Sequence, residues 1–153
     1  MVLEDFDVDA VSKRLKKVGL DIVTSTVLFE DTDITSDNAE IRAKGVDYLK
    51  TCVKATYDVG GTSFSGVIYS QHTKATRDGP TEQTWRISAE CLKEVAKYAK
   101  PLDVLIALEP VNRYETYLIN TCEQALKLLD MIGEDNMRIH LDTYHMNIEE
   151  KSF

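Results

Sequence analysis

The sequence lacks any apolar run long enough to cross a bilayer, which removes membrane-spanning functions from consideration. Its opening stretch, MVLEDFDVDAVSKRLKK, is acidic where a secretory leader would start basic and continue apolar, so a cytoplasmic setting is expected. Positive charge is in deficit: the net charge is −8, and a nucleic-acid-binding surface needs the opposite sign. The one basic cluster, KRLKK at 13–17, is interrupted by Leu15 and reads as the wet face of a helix. Cysteine is scarce, with Cys52, Cys91 and Cys122 far apart and no C-x-x-C pair, which excludes a disulfide framework and a thiolate metal site. No G-x-G-x-x-G or G-x-x-x-x-G-K-[ST] loop follows a strand-like segment, so a nucleotide-binding doubly wound sheet is unsupported. What is present is 43% hydrophobic and 29% charged residues over 153 positions, the balance of a soluble domain with a real core.

The hydrophobic period alternates along the chain. Val8, Val11, Leu15 and Val18 fall at helical spacing ahead of Gly19, and LDIVTSTVL at 20–28 is a β-branched run suited to a buried strand. Asp37 and Glu40 resemble a capping box for a second helix with Val46, Leu49, Val53 and Thr56 on one face, ending at Gly60-Gly61. TSFSGVIY at 62–69 is the next strand, and the loop SQHTKATRDGP leads to a helix from about Thr81 that turns Trp85, Ala89, Leu92, Val95 and Ala99 inward. LDVLIAL at 102–108 follows Pro101 as a third strand. Thr121 and Gln124 form a capping pair for CEQALKLLDMI, which stops at Gly133 before a last strand, MRIHL at 137–141.

Helices and strands in strict alternation imply parallel strands with right-handed crossovers. Without a phosphate-binding loop, the expected fold class is α/β of the (β/α) TIM-barrel type, as a single partial domain over residues 1–153. A full barrel needs eight strands and about 250 residues, and four strands can be counted, so a half-barrel is expected.

Barrel chemistry sits at the C-terminal ends of strands. There the sequence places Glu109, after LIAL, and Asp142, after MRIHL. Neighbouring parallel strands lie about 4.8 Å apart, so two such carboxylates need a compensating charge, which a divalent cation supplies. The competing reading is that each acid caps a turn or pairs with Arg113 or Arg138. His145, three residues past Asp142, and Glu115, six past Glu109, could reach the same mouth. His140 within the last strand and His72 in a loop are given no chemistry, and Glu149-Glu150 reads as a solvated helix start.

The segments ALEPVNRYETYL and LDTYHMNIEEKSF resemble the signature segments of the D-tagatose/D-psicose (allulose) 3-epimerase family, metal-dependent sugar epimerases of the xylose-isomerase-like barrel superfamily. The element order over 20–153 is similar to that family's third to sixth strands, about half of a member. The resemblance implies that Glu109 is a metal ligand and one of two acid/base carboxylates, that Asp142 is a second ligand, and that Glu115 and His145 contact the sugar. It implies Mn2+ as the ion, with Mg2+ or Co2+ as substitutes, a free ketose as substrate and a homo-oligomer as the assembly. The chemistry implied is removal of the C3 proton to give an enediolate and its return on the opposite face, which needs a carboxylate on each side. The family's remaining histidine, glutamate and arginine, from later strands, have no counterpart before Phe153, so this chain is expected to carry part of the site. Alternatives are a hydroxypyruvate isomerase-like enzyme, two copies pairing into one barrel, or a non-catalytic sugar- or protein-binding half-barrel; acidic charge disfavours the endonuclease branch of the superfamily.

Overall fold

A computed structural model describes residues 7–74, 76 and 78–152. Residues 1–6 of the opening segment, Ala75 and Arg77 of the loop before the third helix, and Phe153 lie outside those residues. The elements run α1 (Val8–Val18), β1 (Val23–Leu28), α2 (Ala39–Asp58), β2 (Ser63–Gln71), α3 (Glu82–Ala99), β3 (Leu105–Leu108), α4 (Cys122–Ile132), β4 (Met137–Ile139) and α5 (Thr143–Glu149). The strands form one parallel sheet in the order β1-β2-β3-β4, so chain neighbours are sheet neighbours throughout. This is a half TIM barrel. Among the described residues no helix is long and apolar enough to cross a membrane.

Local chemistry explains most boundaries. Thr121 and Gln124 close α4 reciprocally, and Gly133 ends it at φ 68°, a left-handed conformation that glycine adopts without a Cβ clash. Thr81 caps α3, with Thr84 in the reciprocal position. The start of α2 differs from expectation by one residue. Asn38, not Asp37, is the cap, and its Oδ1 accepts the Glu40 N–H at 2.8 Å. The third strand begins at Leu105, because Lys100–Leu102 close a short 3-10 turn around Pro101 and Asp103 takes a positive φ.

The core lies between sheet and helices. Leu49 and Val53 of α2, Leu92 and Val95 of α3, and Leu128 of α4 meet Phe64, Ile68, Ile106 and Leu108 from the strands. Two threonines of β1 also face that side, where Thr24 pairs with Thr56 and Thr26 with the Tyr48 hydroxyl at 2.7 Å, so their polar atoms are satisfied. Gly66 at the middle of β2 has φ 129°, and a Cβ there would lie 2.0 Å from the Thr26 carbonyl oxygen. Only glycine lets β1 and β2 approach so closely. The opposite, concave face carries Val23, Ser63, Ser65, Ala107, Arg138 and His140, and Val23 is 74% exposed.

Candidate metal and sugar site

The concave rim at the C-terminal strand ends gathers the site. Glu109 follows β3 directly, and its backbone is fixed twice: its N–H donates to the Gly66 carbonyl at 3.1 Å, and its own carbonyl accepts from the buried Tyr69 hydroxyl at 3.1 Å. Burial pushes the Tyr69 phenol well above its ordinary value, so it remains a donor at any working pH. Asp142 caps α5 through Oδ1, which accepts the Tyr144 N–H at 2.8 Å. The capping alternative for Asp142 is therefore correct for one oxygen and leaves the other available. His145 stands in the first turn of the same helix, 8% exposed.

Glu109, Asp142 and His145 each offer a ligand atom, and these atoms all lie within 4.8 Å of one another. Opposite ligands of a divalent ion held through oxygen are roughly 4 to 5 Å apart, so the spread fits such an ion. Two carboxylates and an imidazole suit manganese, magnesium or cobalt.

His145 is further defined by its partners. Its Nδ1 lies 3.2 Å from the Asn112 backbone N–H and 2.9 Å from Asn112 Nδ2. A backbone N–H can only donate, so Nδ1 is an acceptor and the ring proton of the neutral form is on Nε2. A ligating histidine usually does the reverse, donating its second N–H to an acceptor. His145 in this arrangement is a hydrogen-bond donor, and the carboxylates of Glu109 and Asp142 are the better ligands.

Glu115 does fold back to the mouth. Its Oε1 accepts from Asn112 Nδ2 at 2.7 Å and lies 3.9 Å from His145 Nδ1, while its Oε2 is 3.2 Å from His72 Nε2. Burial opposes ionisation of Glu115, but the hydrogen bonds from His72 and Asn112 outweigh it and hold the carboxyl below its ordinary range.

Three expectations need correction. His140 is one residue past β4, and its Nδ1 comes within 3.7 Å of Glu109 Oε2, so it belongs to the rim. Glu149 ends α5 instead of starting a helix; its side chain is 4% exposed and grips Arg113, with Nη2 to Oε2 at 2.8 Å. Glu150 is likewise engaged, accepting the Cys122 N–H at the start of α4 at 2.8 Å. Neither arginine pairs with the candidate ligands: Arg113 is taken by Glu149, and Arg138 donates to the carbonyls of Asp135 and Met137. Asn112, the hinge of the site, was legible only as the fourth residue of EPVNRYE; His72 had no local signal at all.

Comparison with known proteins agrees with this arrangement. The chain is 39% identical over 146 residues to the L-ribulose 3-epimerase of Mesorhizobium japonicum, covering 95% of this chain and 49% of that protein. It is 39% identical over 145 residues to the ketose 3-epimerase of Arthrobacter globiformis, again 95% of this chain and 50% of the other. Among solved structures, the D-allulose 3-epimerase from Methylomonas sp. in complex with D-allulose superposes with a TM-score of 0.91 at 36% identity, covering 95% of this chain and 50% of that one. The chain thus spans about half the length of the relatives it matches. The model of the xylose isomerase-like TIM barrel family matches residues 1–152, nearly the whole chain, and this chain belongs to that family.

Proposed function

We propose that the chain is part of a metal-dependent ketose 3-epimerase, inverting C3 of a free ketose, and that residues 1–153 correspond to the third to sixth strands of such a barrel. The observation that carries this reading is the convergence of Glu109 and Asp142, from the ends of paired strands, to within 4.8 Å of each other and of His145. The relatives named as 3-epimerases of L-ribulose and of ketoses support the reaction class. In this reading Glu109 and Asp142 hold the ion, with manganese preferred, and a bound ion would polarise the sugar carbonyl and ease loss of the neighbouring proton. Glu109 also exchanges the C3 proton on one face. His145, donating through Nε2, and Glu115, accepting, orient the sugar hydroxyls. The acid/base group for the opposite face is not among Glu109, Asp142, His145 and Glu115, so this chain holds one side of the reaction. A homo-oligomeric state belongs to the same reading, as does a cytoplasmic setting, to which three unpaired cysteines are suited.

Manganese titration of the labelled chain, followed by NMR, tests the site. Paramagnetic broadening centred on Glu109 and Asp142 is expected, and Glu109→Gln with Asp142→Asn should abolish it. Broadening that is absent, or that survives both substitutions, sinks the metal site. Conversion of D-fructose to D-psicose by the isolated chain with manganese is expected to be undetectable, and robust turnover would refute the half-site reading.

A further inference from the structure

The segment that leaves β2 is strained and tightly held. Thr73 has φ 64°, in the left-handed region that β-branched residues avoid. Four consecutive residues are fastened to the neighbouring loops. The Gln71 N–H donates to Asp33 Oδ1 at 3.0 Å, and the His72 N–H to the Leu28 carbonyl at 2.8 Å. The Thr73 N–H donates to the Glu115 carbonyl at 2.7 Å, and Lys74 Nζ to Asp33 Oδ2 at 2.7 Å. Asp33 is itself anchored, since its Oδ1 also accepts the backbone N–H and the hydroxyl of Thr35, at 2.9 and 2.6 Å. Strain of this kind persists only where the surroundings over-determine it, and it gathers at sites that use the resulting geometry.

What this turn delivers is His72. Its Nε2 is 3.2 Å from Glu115 Oε2, on the far side of the carboxylate from Asn112, which donates to Oε1 at 2.7 Å. An ionised carboxylate only accepts, so His72 carries its proton on Nε2. A carboxylate with one donor still turns about its last torsion. Donors on both oxygens, from two different loops, fix its plane. Asn112 also holds His145, so His72, Glu115, Asn112 and His145 form one hydrogen-bonded chain joining the loops after β2 and β3 to α5.

We propose that His72 is a positioning residue, set by the strained Thr73 turn, that locks the plane of Glu115 so that its remaining lone pairs meet a sugar hydroxyl. This rests on the reading of Glu115 as a sugar contact, and the test separates the two. Carbon-13 NMR of the Glu115 carboxyl across a pH titration, on the whole chain, is the readout. In the wild type the midpoint lies below the ordinary glutamate value. His72→Ala raises it, and His72→Gln, whose amide can donate from nearly the same place, brings it back. Thr73→Gly keeps it low, since glycine adopts that φ freely. An unmoved midpoint in His72→Ala, with only a lower melting temperature, would show a packing role and overturn the proposal. If His72→Ala does not fold, a long-range nitrogen-15 spectrum of the wild type decides: protonation of His72 at Nδ1 alone overturns the proposal, and at Nε2 supports it. D-psicose is then added to the same samples. A His72 effect without any D-psicose response at Glu115 supports the positioning on its own, and a D-psicose response at Glu115 supports the sugar contact separately.

Discussion

At the scale of single residues, the site is built from side chains with two employments. Asn112 serves His145 and Glu115 together, and Asp33 binds four donors from three residues, Thr35, Gln71 and Lys74, with its side chain 3% exposed. Burial works against the Asp33 carboxylate, but Lys74 and Thr35 outweigh it and hold its pKa below the ordinary value. Its stabilising contribution is complete above the unfolded value, about 3.9, and is lost as pH falls through the lower folded value. Asp33→Asn is expected to remove that part of the acid dependence and to cost about 3 kcal/mol at neutral pH by leaving Lys74 unpaired; urea unfolding at pH 7 and pH 3 measures both. Cysteine chemistry is the counterexample. Burial pushes the Cys91 thiol up to about 11, so its alkylation at pH 8 is expected to lag a free thiol by on the order of a hundredfold, read by mass spectrometry. The two carboxylates were legible in the sequence because each directly follows an apolar run. His72 and His140 were not, because their partners are set by strand register and by a loop held in place from two sides.

At the scale of elements, helices were read well and their ends less well. The inward faces of α2 and α3 matched the 3.6-residue period, with Leu49, Val53, Leu92 and Val95 all fully buried. Capping is a contest between adjacent polar residues, and Asp37 and Asn38 both qualify by type. The Asn38 side chain accepts from Glu40, so Asn38→Ala should cost about 1 kcal/mol while Asp37→Ala stays within about 0.5 kcal/mol. Paired thermal melts distinguish them. Equal losses would return the cap to Asp37. The end of α5 shows why such reasoning fails at α5: an acid pair favours a helix start in isolation, but Glu149 meets Arg113 and Glu150 meets the first N–H of α4. Tertiary partners reverse a local preference worth less than about 1 kcal/mol.

At the scale of the whole molecule, alternation of elements was enough to give four parallel strands in chain order, because right-handed crossovers leave few other arrangements. Among the described residues the sheet is paired on both sides only at β2 and β3. Hydrogen exchange is accordingly expected to be slowest in β2, by on the order of a hundredfold over the outer rows of β1 and β4, and uniform protection across all four strands would contradict an open sheet. The concave surface carries a last consequence. Ser63, Ser65 and Ala107 are small, so they leave a hollow on the sheet face turned away from the helices. Enlarging Ser65 fills that hollow from the sheet side and leaves the helix-facing core untouched.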